Sequence, residues 1–203
     1  MKMSRRQVLC GAAGILAAGR FAARDKALAA EPEPEKASVP SGDLAIVDTH
    51  QHLWDLSKFE WPWLKGSPLD RSFVTKDYRE ATAGLNLIAA VYMETDVAEP
   101  YQRAEADYIV EICRRGDAPT RAAVISGPVE SEDFRQFIMP FKDSPYVKGV
   151  RRLLFKPETR AERCFEKPFL DSLRLLGDLG MRFDICIAAS ELADAAKLAA
   201  RCP

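Results

Sequence analysis

Two kinds of apolar pattern take turns along most of the chain. Short apolar runs at 44–47, 87–94, 121–127, 146–154 and 183–188 read as strands. The second, 87–94, is almost without charge, as a strand covered on both faces should be. Between the runs the apolar positions switch to helical spacing. Tyr101, Ala104, Tyr108, Ile109, Ile112 and Cys113 mark a helix over 101–115, and Leu170, Leu173, Leu175, Leu176 and Leu179 mark another over 165–179. A short helix over 77–82 is closed by Gly84. Ser131 and Asp133 cap a helix that Pro140 stops, and Ser190-Glu191-Leu192 opens a last one that runs to Arg201. Strands and helices in strict alternation with short links predict right-handed βαβ units on a parallel sheet. Five such units are present, whereas a closed (β/α)8 barrel needs eight and about 250 residues. Residues 44–203 therefore read as the amino-terminal part of a barrel, with Pro203 where a sixth strand would start.

The first 43 residues break this rhythm. Met1 to Leu9 is basic and contains Ser4-Arg5-Arg6-Gln7-Val8-Leu9, and an Ala/Gly-rich stretch follows it. That order resembles a twin-arginine export signal over 1–29, with Ala27-Leu28-Ala29 as a small-x-small cleavage site. The apolar stretch is too short and interrupted for a stable membrane span. Residues 30–43, including Glu31-Pro32-Glu33-Pro34-Glu35, read as a mobile linker, because proline and charge together disfavour packing. A periplasmic destination follows from the signal.

Charge narrows the function classes. The 203 residues carry 29 Lys and Arg against 30 Asp and Glu, so there is no basic excess to hold nucleic acid. Of the five cysteines, Cys10 lies in the signal, none has C-x-x-C spacing, and Cys113 and Cys186 sit in apolar runs as buried thiols.

The candidate chemistry stands at the end of the first strand. Leu44-Ala45-Ile46-Val47 runs into Asp48-Thr49-His50-Gln51-His52-Leu53-Trp54-Asp55. Strand alternation puts Asp48, His50 and His52 on one face, with Val47, Thr49 and Gln51 on the other. His50 and His52 are the only two histidines of the chain, close enough to converge on one metal ion or one substrate group. The second strand ends in Glu94, a carboxylate at the same rim. The fourth carries Gly149-Val150-Arg151-Arg152, of which one arginine points inward and can grip a carboxylate or lactone oxygen through paired hydrogen bonds. The long segment 54–72 holds Trp54, Trp61 and Trp63, which either wall a pocket or cover the rim.

The stretch Val47-Asp48-Thr49-His50-Gln51-His52-Leu53-Trp54-Asp55, together with Gly149-Val150-Arg151-Arg152, resembles the amidohydrolase superfamily. Within it, the similarity is to the amidohydrolase-related branch of sugar-lactone and dicarboxylate-lactone hydrolases. That resemblance implies a TIM barrel of the metal-dependent hydrolase type, with His50 and His52 as metal ligands or carbonyl donors. It also implies a site glutamate at Glu94 and a preference for Arg151 over Arg152 as the substrate-holding arginine, with Trp54 beside the substrate. Zinc is the expected ion and manganese the second choice, although some relatives work without metal. The implied reaction is opening of a lactone; the alternatives are decarboxylation of an aromatic or unsaturated acid, or a non-catalytic exported fragment that binds a carbohydrate or a partner. The family's later histidine and its general-base aspartate have no counterpart in these residues. Oligomeric state is not encoded in any of these features.

The signal reading makes a direct prediction. Intact-mass measurement on the protein from its own host should find a mature chain beginning near Ala30, and a retained Met1 to Ala29 would contradict it.

Overall fold

The computed structural model describes residues 44–155 and 161–202, so the expected signal (1–29) and linker (30–43) lie outside the described residues. Five strands and five α-helices alternate. They are β1 Ile46–Gln51, α1 Thr75–Ala81, β2 Leu87–Met93, α2 Gln102–Arg115, β3 Thr120–Ile125, α3 Phe134–Ile138, β4 Val147–Leu153, α4 Lys167–Asp178, β5 Arg182–Cys186 and α5 Leu192–Arg201. The strands pair in chain order, and each neighbouring pair is parallel. The sheet curls into a partial (β/α) barrel, in agreement with the expected fold class.

Burial explains the packing. Ile109, Ile112 and Cys113 of α2 and Phe169 and Leu176 of α4 press against Ala123, Ile125 and Val150 of the sheet. Each large side chain buried in this way contributes about 1.5–3 kcal/mol. A smaller cluster of Trp61, Leu64 and Val97 holds the segment after β1 against the end of β2.

Some local expectations need correction. Ala104 is exposed; the buried stripe of α2 is instead Gln102, Glu105, Ala106, Ile109, Ile112 and Cys113. Ser131 is not a helix N-cap: its hydroxyl accepts the Asp133 amide in a turn, and α3 starts at Phe134. Pro140 lies within a 3-10 turn, Met139–Phe141, that continues past α3. On β2, read as covered on both faces, Ile88 stands about half exposed.

The alternation expected along β1 also fails. Asp48 pairs with Ala90 and Gln51 with Tyr92, so β1 spends three steps where β2 spends two. Such an irregularity resets which side the following residues face. Asp48 accepts a 2.7 Å hydrogen bond from the Tyr78 hydroxyl of α1, and Gln51, an odd number of residues away, meets the same phenol. Asp48 is therefore occupied on the α1 side and does not join the two imidazoles.

Gly149 is required by strand spacing. A Cβ there would lie 2.4 Å from the carbonyl oxygen of Arg182, its register partner on β5. Gly149→Ala must push β4 and β5 apart, at a cost of about 1–3 kcal/mol. Urea denaturation should show a lower midpoint; an unchanged midpoint would mean that β4 and β5 have room for a Cβ at this position.

Candidate active site

The carboxyl ends of the strands meet at a cavity of about 470 Å³. Its lining includes His52 after β1, Glu94 after β2, Arg151 of β4 and Cys186 at the end of β5. Parallel strands send all these ends to one rim, which is why residues far apart in sequence share one cavity.

His50 and His52 stand edge to face, with ring centroids 4.8 Å apart. The Nδ1 of His52 lies 2.9 Å from the carbonyl oxygen of Met93. A carbonyl only accepts, so Nδ1 carries the proton and Nε2, across the ring, keeps its lone pair. Partial burial lowers the His52 pKa, and His50 and Arg151 push it the same way; the Met93 carbonyl and Asp48 oppose them. His52 is therefore neutral at neutral pH, with one nitrogen able to coordinate or accept.

Glu94 is 2% exposed. One carboxylate oxygen accepts the Asp96 amide at 2.7 Å, a contact made possible by the left-handed backbone of Asp96 at φ 58°. The other, Oε1, lies 3.3 Å from Arg151 Nη1 without hydrogen-bond geometry, and is buried with no hydrogen bond of its own. Burial raises the Glu94 pKa to about 7, against the lowering by the Asp96 amide and Arg151.

The two arginines divide as neighbours on a strand must. Arg151 reaches Glu94 and places Nη2 3.1 Å from Cys186 Sγ. Arg152 turns to Glu130 after β3, its Nε 3.2 Å from Oε2, in a pair that is largely shielded from water. Cys186 was expected to be buried but is partly open in the cavity wall, because it ends its strand at the rim. Cys113 and Cys164 are buried, and burial pushes both thiols up to about 11. Trp54 and Trp63 line the cavity, whereas Trp61 is packed beneath it, donating to Thr95 Oγ1 at 2.9 Å.

Glu105 escaped the sequence reading. It is 2% exposed on α2, and its carboxylate accepts from Tyr92 Oη at 2.7 Å, Thr95 Oγ1 at 3.0 Å and Ser126 Oγ at 3.0 Å. This buried network ties α2 to the ends of β2 and β3, directly behind Glu94. A strict stripe at 102, 105, 106, 109, 112 and 113 was the signal that could have found it.

Comparison with known proteins bears on the fold that carries this cavity. No family model matches the sequence. An uncharacterized protein of Sinorhizobium fredii is 24% identical over 104 residues, 46% of this chain and 33% of its own. Among solved structures, amidohydrolase 2 from Bifidobacterium longum subsp. infantis matches with TM-score 0.57 and 27% identity, over 78% of this chain and 58% of that one. An amidohydrolase from Burkholderia multivorans, solved with bound zinc, matches with TM-score 0.63 and 18% identity, over 76% and 53%. The fold is that of the amidohydrolase-2 structures. A probable 2-pyrone-4,6-dicarboxylic acid hydrolase from Acinetobacter baumannii, with citric acid bound, shares this fold at TM-score 0.50 and 14% identity, over 68% and 48%. The chain thus spans about half the length of the amidohydrolase-2 structures it matches. Among the described residues no helix is long and apolar enough to cross a membrane.

The raised pKa of Glu94 has a signed consequence. Between its ordinary 4.5 and about 7 the folded state keeps a proton that the unfolded chain has lost. Stability from this group therefore falls as pH rises through that window, and the penalty is constant above it. Glu94→Gln removes the titration. Urea unfolding should show the stability difference moving in favour of Gln by on the order of 3 kcal/mol across the window; a flat difference would place Glu94 in water.

Proposed function

We propose that the cavity is the carbonyl-activating site of a hydrolase that opens a lactone, with His50 and His52 holding a divalent metal. The observation that carries this reading is the tautomer of His52. With Nδ1 committed to the Met93 carbonyl and the ring neutral, Nε2 cannot donate to a substrate carbonyl, but it can bind a metal. The donor set supports the ion: two neighbouring imidazoles suit zinc first and manganese second. Among the described residues no group of three or more His, Cys, Asp or Glu gathers, so these two imidazoles supply part of a coordination shell. The zinc held by the structurally similar Burkholderia multivorans amidohydrolase is consistent with this choice.

When bound, such a metal polarises a carbonyl and lowers the pKa of its water. The remaining work belongs to side chains of this chain. Arg151 offers its guanidinium edge to the ring oxygen or to a carboxylate of the substrate, and its position between Glu94 and Cys186 fixes that edge. Glu94, with a pKa near the working pH, orients Arg151 when ionised and can donate from Oε1 when protonated. Trp54, anchored by its Nε1 donating 2.7 Å to the Arg71 carbonyl, shields one side from water.

The test is lactone hydrolysis by the full-length, zinc-loaded protein. His52→Ala should lower kcat/KM by about 10²–10⁴-fold, with circular dichroism unchanged. Undiminished turnover by that variant, or none by a folded wild type given a panel of lactones, overturns the reading.

A further inference from the structure

The cavity is unevenly furnished. Its titratable groups, a neutral His52 with Glu94, Asp96 and Arg151, stand at or just past strand ends, while the remaining lining is dominated by Trp54, Trp63, Leu69, Leu153 and Phe155. Trp54 and Trp63 meet at 6.0 Å and 67°, forming a corner of two aromatic planes.

The polar handles of that corner are already in use. Trp54 Nε1 donates to the Arg71 carbonyl at 2.7 Å, and Trp63 Nε1 to the Thr95 carbonyl at 2.9 Å. Thr95 Oγ1 accepts from Trp61 and donates to Glu105 at 3.0 Å. The corner therefore presents ring faces and carbon edges, with no N–H left to give.

Resting on the carbonyl-site reading above, we propose that the substrate carries a planar apolar ring beside its carbonyl, as in an aryl-fused lactone, in place of a polyhydroxylated sugar ring. A sugar can lay a C–H face on an indole, but hydroxyls at its edge would meet Leu69, Leu153 and Phe155. Leu69 and Phe155 are themselves 42% and 50% exposed, so such a hydroxyl gives up only part of its hydration, yet it gains no partner in return and affinity falls. A flat hydrocarbon ring removes its own apolar surface and that of the indoles from water together. Arg151 is shared with Glu94, which suits a single oxyanion or carboxylate on the polar side of the substrate.

The experiment uses the full, zinc-loaded chain and two δ-lactones of equal ring size. Dihydrocoumarin represents the aryl-fused class and D-glucono-1,5-lactone the sugar class. Isothermal titration with their stable hydrolysis products, 3-(2-hydroxyphenyl)propanoate and gluconate, reads binding apart from turnover. The aryl acid should bind about tenfold tighter or more, with the same order in kcat/KM for the lactones. Trp63→Ala should erase most of that preference, and Trp63→Phe, which keeps a ring face, should retain it. Equal or tighter binding of gluconate, no binding of either acid, or a preference untouched by Trp63→Ala would each overturn the inference. Aryl preference in binding without lactone turnover leaves it standing and removes the hydrolysis reading. Faster turnover of the sugar lactone does the reverse.

Discussion

Parallel pairing is the constraint on which the rest depends. Five consecutive strands hydrogen-bonded in one direction must each be returned by a helix, so every carboxyl end reaches the same rim. That alone brings His52, Glu94, Arg151 and Cys186 around one cavity, although they come from four strands. Close strand spacing is part of the same constraint. At Gly149 the neighbouring backbone leaves no room for even a Cβ, and this glycine lies two residues before Arg151, so the packing of β4 on β5 sets where the guanidinium stands.

The rim is stabilised from behind by polar groups that are fully committed. Glu105 gathers three hydroxyls from β2 and from just beyond the ends of β2 and β3, and Thr95 passes the connection on to Trp61. A buried carboxylate is tolerable only with such partners. In front of this network Glu94 is less well satisfied, with one oxygen facing Arg151 and lacking a hydrogen bond. A saturated carboxylate thus stands behind the rim and an unsaturated one at the cavity, and on the proposed reading that spare acceptor is what Glu94 offers a ligand.

His52 shows how a backbone atom can decide side-chain chemistry. The Met93 carbonyl selects the tautomer, partial burial keeps the ring neutral, and the lone pair of Nε2 follows from both.

Much of the architecture was legible in the sequence. Apolar strands, helical stripes and glycine stops are local signals, and they placed the five βα units and their order because period and capping act over a few residues. The same locality brought His50, His52 and Glu94 to strand ends. Tertiary structure decided the rest. The irregularity in β1 drew Asp48 to Tyr78, away from the histidines, because pairing register depends on the partner strand. Cys186 lost its expected burial because a thiol at a strand end meets the rim, and Glu105, which the sequence did not single out, is buried because a carboxylate on the inner stripe of α2 finds three hydroxyls. Only packing could separate Arg151 from Arg152, adjacent side chains that part to opposite faces of a strand, and Trp61, buried against Thr95, from Trp54 and Trp63, which line the cavity.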